Sequence, residues 1–412
     1  MTMPSATLTF LFAIERGAPA PLTQHRTKAA VPFGGKYRVI DFTLANCLHS
    51  GLRQVLVLTQ YKSHSLHKHL RDAWSVFNAE LGEFITSVPP QMRAGDGWYG
   101  GVLDALRQNR YLIERSRAEQ LLLLDGGLVY RMDYAELVRF HVEQGAGVTV
   151  AVRPAGGAFP GGDVMLHGEA EHITGLGPPP DPAATFDAPM GVYVVDKALL
   201  LAEIDSLAAA EAEATPRASA ESPPGAGTDL ATHLLAPLLG RETVCAYRFG
   251  GERGRVTPDR YWSDLGSTDA YFRANMALLE AAPPLDLYQP DWNILTYQGQ
   301  YPPARTVPGA TSGNEGIFVN SMLAAGTVIR GGGVSHSVLF PLVEVEDGAI
   351  VDEAILFEGV KVGPGAQIRR CICDKDVVIG PGERIGFDRG ADEARFHVSA
   401  DGIVVIPKGR RV

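Results

Sequence analysis

The chain has 412 residues, of which 45% are hydrophobic and 20% are charged, a balance typical of a globular protein with a sizeable core. This length predicts two or three domains. The net charge of −10 argues against a general nucleic-acid-binding surface, which needs an excess of basic residues. The N-terminal residues lack the pattern of a secretory signal, and no stretch approaches the roughly 20 apolar residues of a membrane span. We therefore expect a cytoplasmic protein without nucleic-acid or membrane partners.

The first half of the chain alternates strand-like and helix-like segments. Near-continuous Val and Leu runs, typical of strands buried on both faces, occupy residues 6–14, 53–61, 118–127 and 147–154. Helical spacing of apolar residues occupies residues 41–51, 104–116 and 133–145, and the last segment begins at an Asp133 cap and ends at Gly145. This alternation predicts an α/β domain whose sheet is mostly parallel and covered by helices on both faces.

The second half of the chain changes in character. Residues 206–228 are rich in Ala, Ser, Pro and Gly and predict a mobile surface loop, whose first half could extend a helix. Residues 281–310 are Pro-rich and irregular, which indicates a linker. Beyond it, "VKVGPGAQI" at 360–368 repeats as "VVIGPGERI" at 377–385, so that Val360 corresponds to Val377. A repeat near three hexads favours a parallel β-helix over residues 311–412, in preference to the short strands of a sandwich.

The four cysteines give no sign of a zinc site. None belongs to a CxxC pair, and Cys371 and Cys373 would share one face of a strand because side chains alternate along it. We expect Cys47, Cys245, Cys371 and Cys373 to be reduced thiols, as in most cytosolic proteins.

Several segments resemble the bacterial glucose-1-phosphate adenylyltransferases (ADP-glucose pyrophosphorylases), in the order that this family has them. They are "HRTKAAVPFGGKYRVIDFTLANCLHSGLRQVLVLTQYKSHSLHKHL" (25–70), "GWYGGVLDALRQN" (97–109), "MGVYVVD" (190–196), "YWSDLGSTDAYFRAN" (261–275) and "RRCICDKDVVIGPG" (369–382). The resemblance implies an α/β fold, with a Rossmann-like nucleotidyltransferase domain over residues 1–280 and a C-terminal left-handed parallel β-helix. It also implies a tetramer under allosteric control. The implied reaction converts ATP and glucose 1-phosphate to ADP-glucose and pyrophosphate in glycogen synthesis, with Mg²⁺ as cofactor.

The resemblance is weakest in the glycine loop that surrounds the triphosphate in this family. The family pattern "LAGGRGTRLxPLT" is replaced by "LFAIERGAPAPLT" at residues 11–23. Ala13 and Ile14 stand for the two glycines, which matter because they let the backbone approach phosphate at positive φ. Ala18 stands for the catalytic arginine, and Arg16 could replace it only if the loop register slips. The sequence therefore indicates a lost triphosphate loop.

The metal site is also incomplete. When Tyr130 and Asp133 are matched to the family, its metal-binding aspartate falls at Gly127, and Asp125 lies two residues upstream, roughly 6.6 Å along a strand. Mg²⁺ needs ligand oxygens at about 2.0–2.1 Å, so a bulge would be required to bring Asp125 into place. The second metal-site aspartate is retained as Asp264. We expect a weak metal site, with Mg²⁺ as a cofactor only if the protein is active.

The sugar-phosphate pocket has lost polar groups. The family's lysine has no counterpart in residues 175–182, Asp163 stands for a glycine, and Pro189 stands for a serine. Gly100 and Val102 stand for an arginine and a threonine. These changes remove donors for the substrate phosphate, and the Asp163 carboxylate would repel it.

Some family residues with substrate roles remain. The catalytic remnants are Arg16, Lys28 and Asp264, and the substrate-binding remnants are Trp98, Asp104 and Gly191. Lys28 has an alternative role as a surface charge, and Trp98 as a packing residue. Asp104 and Asp264 could instead cap the helices that follow them.

The residues of the family's effector pocket are largely retained. They are Arg26, Lys36, Arg38, Gln60, Lys62, Ser63, Ser65, Arg369 and Arg370. Such groups make charge-assisted hydrogen bonds, so we expect a phosphorylated or carboxylate metabolite as effector. The alternative is that the basic residues hold an inter-domain or subunit surface.

Three functions follow from these observations. The first is a catalytically impaired regulatory or structural subunit, in a hetero-tetramer with a homologous catalytic subunit or in a homo-tetramer. The second is an active adenylyltransferase with a remodelled site that uses Arg16, Lys28 and Asp125. The third is a metabolite sensor without catalysis.

Overall fold

The chain forms two compact units. The computed structural model describes residues 7–14, 20–91, 98–155, 165–169, 171–177, 186–213 and 230–412. Unit 1 consists of Met1–Arg16 and Phe42–Arg260, and unit 2 consists of Gly17–Asp41 and Tyr261–Val412. This division differs from the predicted boundaries at residues 280 and 311. The reason is packing within unit 2, where the ring of Tyr271 contacts both Phe33 and Phe357.

The elements of unit 1 alternate as the hydrophobic pattern predicts. Its strands are β1 (Thr7–Ala13), β2 (Gln54–Thr59), β3 (Phe84–Val88), β4 (Gln120–Asp125), β5 (Leu128–Tyr130), β6 (Val148–Ala155), β7 (Met165–Glu169), β8 (His172–Gly177), β9 (Phe186–Asp196) and β10 (Val244–Arg248). Its helices are α1 (Val39–His49, which begins in unit 2), α2 (His64–Ala73), α3 (Val102–Gln108), α4 (Arg110–Arg115), α5 (Tyr134–Gln144), α6 (Lys197–Glu213) and α7 (Ala236–Leu238). The turn Ala231–Leu235 before α7 is π-helical, and Ala79–Leu81 is a 3₁₀ turn.

The sheet of unit 1 is mixed. Its strand order is β3-β2-β1-β4-β9-β6-β10-β8-β7. The pairs β3–β2, β2–β1, β1–β4 and β6–β10 are parallel, whereas β9 runs antiparallel to both β4 and β6. The expectation of a mostly parallel sheet therefore holds for the first four strands only. Val and Leu content identifies a buried strand but does not give its direction.

Local signals place the helix ends. The Asp133 side chain accepts a hydrogen bond from the Ala135 amide at 3.1 Å, and Gly145 ends α5 at a φ of 58°. These observations confirm the predicted cap and stop. The helix predicted over residues 104–116 is instead two helices, which meet at Asn109. Helix α6 extends to Glu213, into the segment predicted as a loop, and the rest of that segment lies outside the described residues.

Unit 2 contains the predicted parallel β-helix. One of its sheets stacks Arg305–Val307, Val328–Arg330, Glu344–Val345, Lys361–Val362 and Val378–Ile379. The other stacks Ile317–Val319, Gly333–Ser335, Ile350–Leu356, Gln367–Cys373 and Val404–Ile406, with His397–Val398 antiparallel at its edge. Shorter strands at Met322–Leu323, Val338–Leu339 and Arg384–Ile385 pair alongside. The first strand of the stack begins within the segment predicted as a linker.

The strand register of the β-helix follows the sequence repeat. Val362 pairs with Ile379 and Ile368 pairs with Ile385, so each coil advances here by the offset that the repeat predicts. Their side chains are almost completely buried and form one continuous apolar core through the stack. A single coil could not bury this face alone, so stacking supplies the stability.

The N-terminal part of unit 2 is a tight hairpin. Pro32–Phe33 pairs antiparallel with Tyr37–Arg38. Gly34 and Gly35 form the turn at φ values of 60° and 76°, a region that favours glycine. The Gly34 amide donates to Asn275 Oδ1 at 2.9 Å, in the helix Thr268–Met276. The Gly-Gly pair is thus required by the turn.

The cysteines agree with the expectation from composition. All four are free and buried, and the Cys371 and Cys373 sulfur atoms are 4.0 Å apart on one strand. In the part of the chain that the structure describes, no helix has both the length and the apolar character to cross a membrane.

Candidate functional site

The former triphosphate loop starts at the end of β1. Ile14 is buried, and its carbonyl oxygen accepts a hydrogen bond from the Gln60 side-chain amide at 2.6 Å. Gln60 is itself buried, and its Oε1 atom has no hydrogen-bond partner. A residue predicted to bind an effector therefore anchors the backbone at the start of the loop. Arg16, Ala18 and Asp163 lie outside the described residues.

The turn between β4 and β5 holds the carboxylate nearest to the predicted metal site. Asp125 Oδ1 accepts a hydrogen bond from the Gly127 amide at 2.7 Å. The β1–β4 register runs without a shift as far as the pair Phe12–Asp125, so this pairing lacks the bulge that would move Asp125. A Cβ at Gly126 would lie 2.6 Å from a Leu11 methyl group, so the turn cannot easily rearrange. Asp125 is held in its own turn.

A small cavity lies beside this turn. Gly191 has a φ of +77° and lies where the β9 register shifts, between Pro189 and Tyr193. A Cβ at Gly191 would lie 2.9 Å from Leu128 Cδ1 and 3.0 Å from Asp125 Cβ. The cavity here holds about 10 Å³, and its lining is Phe12, Val102, Leu123, Leu124, Asp125, Gly191, Tyr193 and Leu230. That volume is close to one water molecule, whereas small-molecule pockets occupy roughly 300–1,000 Å³.

The Asp104 carboxylate makes hydrogen bonds at the N-terminal end of its own helix, α3. Its Oδ2 accepts hydrogen bonds from the Gly100 amide at 2.9 Å and from Gln108 Nε2 at 2.8 Å. Its Oδ1 accepts one from Arg107 at 2.7 Å. A carboxylate that reaches back to an amide before the helix is typical of a cap. These contacts agree with the capping alternative for Asp104.

Trp98 lies on the surface. Its side chain is 52% exposed, and its ring meets Tyr61 edge to face at 6.3 Å between centroids. Lys62 Nζ lies 4.6 Å from the Tyr61 ring centroid, an exposed cation–π contact. Ser63 precedes α2 without a side-chain cap bond, and Ser65 lies in its first turn.

Lys28 and Asp264 form an ion pair within unit 2. Lys28 is buried, Asp264 is partly exposed, and Lys28 Nζ donates to Asp264 Oδ1. The interpretation of Lys28 as a surface charge is therefore wrong. Asp264 does not cap the next helix. The cap is Ser267, whose Oγ accepts a hydrogen bond from the Ala270 amide at 3.1 Å. Two of the three catalytic remnants, Lys28 and Asp264, are thus engaged with each other.

Arg26 is buried in unit 2 and paired with an acid that the sequence analysis did not single out. Its guanidinium donates to Asp374 Oδ1 at 2.8 Å and to the Leu22 carbonyl at 3.1 Å. Its side chain is 5% exposed, and that of Asp374 is 4% exposed. It also lies 6.0 Å from the centroid of the Phe357 ring. Arg26 therefore connects residues distant in sequence.

The other basic candidates of unit 2 are nearer to solvent. Lys36 is exposed and lies 6.0 Å from the Tyr37 ring centroid. Arg370 donates to the Asp401 carbonyl at 2.9 Å and lies 3.8 Å from a Glu353 carboxylate oxygen. Arg369 is exposed.

Arg38 belongs to a second charged group that sequence reasoning missed. Glu358 accepts hydrogen bonds from Tyr301 Oη at 2.9 Å and from Lys375 Nζ at 2.5 Å. The positive charge of Arg38 contributes to the lowered pKa of Glu358. The sequence signal was available, since Glu358 and Lys375 are separated by one coil of the repeat, as Val360 and Val377 are.

Known proteins match this chain along almost all of its length. Residues 20–281 match the family described as nucleotidyl transferase, and residues 302–406 match the one described as GlmU-like, C-terminal hexapeptide. Glucose-1-phosphate adenylyltransferase 2 of Vibrio parahaemolyticus is 48% identical over 94% of this chain and 95% of its own length. Its counterpart in Vibrio cholerae is 45% identical over 94% of both chains. The chain belongs to the glucose-1-phosphate adenylyltransferase family.

Membership of this family confirms the resemblance and, with the hexapeptide match, the predicted left-handed β-helix. Less similar members of the family also match along the full length. Glucose-1-phosphate adenylyltransferase of Methylococcus capsulatus is 36% identical over 97% of this chain and 93% of its own length.

Nucleotidyl transferases generally use Mg²⁺, so the remaining carboxylates are the candidate ligands. Asp125 accepts from the Gly127 amide, and Asp264 is paired with Lys28. Among the described residues, no three His, Cys, Asp or Glu side chains come together as metal ligands would. A magnesium ion at Asp264 would have to displace Lys28, and one at Asp125 would compete with the Gly127 amide. In the part of the chain that the structure describes, these two carboxylates as they are paired do not fit the ion.

Proposed function

We propose that this member of the glucose-1-phosphate adenylyltransferase family is catalytically impaired and acts as a regulatory or structural subunit. The observation that carries the proposal is the Lys28–Asp264 ion pair. It neutralises the retained basic group and the retained metal-site carboxylate at once. Two charges that are paired with each other contribute less to stabilising the charge that develops during nucleotidyl transfer.

Three further features support impairment. Ile14 stands at a glycine position, and its carbonyl is occupied by Gln60. Asp125 is held by the Gly127 amide, and the cavity beside it holds about 10 Å³. Removing one charge-stabilising donor from an active site typically costs ~10²–10³ in rate. Several losses together reduce turnover far below that of an intact relative.

The decisive experiment is a rate measurement on the purified chain. ADP-glucose formation from ATP, glucose 1-phosphate and Mg²⁺ is followed by chromatography, with an intact family member as positive control. We expect a rate at least ~10³-fold below the control. A rate within tenfold of the control would overturn the proposal.

The partner is proposed to be a homologous catalytic subunit in a hetero-tetramer, with a homo-tetramer as the simpler assembly. The support is selective retention, because the β-helix core and its repeat are complete while the loops around the former site are altered. Co-expression with a catalytic family member from the same organism, followed by size-exclusion chromatography with light scattering, tests this. Two separate homo-oligomers would contradict the hetero-tetramer, and a homo-oligomer that binds a metabolite would favour a free-standing sensor.

The effector is proposed to be a phosphorylated or carboxylate metabolite. The support is the basic group that Arg38 and Lys375 form around Glu358 in unit 2. Activity of the mixed oligomer is measured with and without added phosphate compounds. If the activity of the mixed oligomer does not change at millimolar concentrations of these compounds, the regulatory role is contradicted and only the structural role remains.

A second candidate is an active adenylyltransferase with a remodelled site. The similarity to adenylyltransferases along the full length favours it. It requires Lys28 and Asp264 to separate when substrate binds. Asp264→Ala then abolishes nucleotide binding measured by calorimetry, whereas the impaired-subunit proposal predicts the same weak signal for wild type and variant.

A further inference from the structure

Glu358 and Lys375 occupy equivalent corners of two successive coils in the β-helix. Leu356 pairs with Cys373 in the strands just before them, at the same offset. The Asp376 amide donates to the Glu358 carbonyl at 3.1 Å, which stacks the two turns. The geometry of the repeat therefore places the carboxylate directly against the ammonium group.

The Glu358 carboxylate is held on both oxygens. Oε1 accepts from the Tyr301 hydroxyl at 2.9 Å, and Oε2 accepts from Lys375 Nζ at 2.5 Å. Burial raises the pKa of Glu358, but Lys375, Tyr301 and Arg38 together outweigh it and lower the pKa from its usual value. The carboxylate is thus charged at neutral pH. Tyr301 responds in the opposite sense, because burial and the hydrogen bond to Glu358 raise its pKa to about 12.

The surroundings of Glu358 are cationic. Burial lowers the pKa of Lys375, and the charges of Arg38 and Arg26 lower it further, while Glu358 opposes this shift. Arg26 is matched by Asp374, whose Oδ1 also accepts from the Lys375 amide at 2.6 Å. Of the two carboxylates, Glu358 is the one whose side chain meets the Lys375 ammonium group.

Solvent reaches this group. The side chains of Lys375 and Glu358 are 24% and 34% exposed, whereas Arg26 and Asp374 beneath them are almost fully buried. An anion from solution could therefore approach Lys375 if the carboxylate were absent. The ligands it would meet are an ammonium group and a phenol hydroxyl, donors that suit a phosphate or carboxylate.

The ion pair between Glu344 and Lys361 in the same β-helix differs from the pair between Glu358 and Lys375. Glu344 and Lys361 also lie one coil apart, as strand partners, and their charged atoms are separated by 3.0 Å. Glu344 also lies 2.9 Å from Arg330, which has a second acid, Glu346, at 2.7 Å. Two acids therefore serve two cations there, without a phenol. This pair provides a matched control of equal offset.

We propose that the Glu358 carboxylate is a built-in ligand that fills an anion-binding position formed by the Lys375 ammonium group and the Tyr301 hydroxyl. A free phosphate or carboxylate binds there only by displacing Glu358. The inference rests on the effector half of the proposed function and states how that site is regulated. In this subunit the chain itself supplies the negative charge.

The test is phosphate binding by calorimetry with the full-length protein, at pH 7.5 and low ionic strength, using inorganic phosphate as the probe. Glu358→Gln keeps the shape of the side chain and removes its charge. We expect this variant to bind phosphate at least about tenfold more tightly than wild type, because a charge-assisted contact becomes available. Glu344→Gln is expected to bind like wild type.

The double variant Glu358→Gln/Lys375→Ala is expected to bind phosphate no more tightly than wild type. Equal phosphate affinity of wild type and Glu358→Gln overturns the inference, and so does a gain that survives without Lys375. Circular dichroism establishes that each variant is folded. Should Glu358→Gln not fold, Glu358→Ala removes the same carboxylate, is expected to bind phosphate more tightly than wild type by at least a few fold, and overturns the inference if it does not. ADP-glucose formation and mixed assembly are separate readouts, so failure here leaves the impairment proposal intact.

Discussion

The buried ion pair between Arg26 and Asp374 offers the sharpest test of how unit 2 is held together. Arg26→Met keeps most of the side-chain volume but removes the charge. It leaves the Asp374 carboxylate almost fully buried, with the Lys375 amide at 2.6 Å as a remaining partner. Breaking a buried pair on one side typically costs about 3–5 kcal/mol, because the other charge stays desolvated.

We expect the free energy of unfolding of unit 2 to fall by about 3–5 kcal/mol in Arg26→Met. Guanidinium unfolding followed by the fluorescence of Trp292, which is buried in unit 2, reports this change. The double variant Arg26→Met/Asp374→Leu is expected to recover much of the loss, because no uncompensated charge remains. Arg389→Ala removes an exposed i,i+4 pair with Glu393 and is expected to change stability by less than about 0.5 kcal/mol.

A loss below about 0.5 kcal/mol in Arg26→Met would refute this reasoning. Arg26 would then be available as an effector ligand, as its position in the sequence motif predicts. A large loss in the double variant would also contradict the argument, since it would locate the cost in packing against Phe357 and not in the charge.

Three further outcomes are expected. Gly191→Ala should lower the melting temperature and reduce the free energy of unfolding by about 1–3 kcal/mol, because a Cβ at a φ of +77° meets Leu128 and Asp125. An unchanged melting temperature would contradict the close packing around Gly191. Ser267→Ala should cost about 1 kcal/mol in urea unfolding, as expected for an N-cap, whereas Ser267→Asp should keep most of the stability; an unchanged stability of Ser267→Ala would contradict the assignment of Ser267 as the cap. His141 is neutral in the fold because burial lowers its pKa, although Asp196 opposes this. The unfolded chain then binds the extra proton, so stability should fall as pH drops below about 6.5, the ordinary His value, and His141→Gln should flatten that slope. If wild type and His141→Gln lose stability equally as the pH falls, His141 is not the group responsible.

Much of the secondary structure could be predicted from local residues. Asp133 and Gly145 delimit α5 because capping and left-handed backbone are properties of single residues. The repeat of segment 360–368 at 377–385 predicted the register of the β-helix because each coil repeats the same set of inward-facing side chains. The direction of β9 could not be predicted, since it depends on pairing with strands distant in sequence.

The candidate site was predictable in what it had lost. Substitutions such as Ile14 for glycine alter backbone freedom and are visible without a structure. The sequence motif could not assign partners to the residues that remain. Lys28 and Asp264 are separated by 236 positions, and Arg26 and Asp374 by 348, so only folding pairs them. Whether Arg26, Arg38 and their neighbours bind an effector stays a prediction.

By itself, the sequence determined the family, the two kinds of architecture and the substitutions in the loop at residues 11–23, because each of these is encoded in short contiguous patterns. Tertiary structure alone decided which charges remain available. Burial and pairing depend on groups brought together from distant coils and helices, and an ionised side chain in a low-dielectric site is stable only with its partner. For that reason the pairing of Lys375 with Glu358 and of Arg26 with Asp374 was visible only in the folded chain.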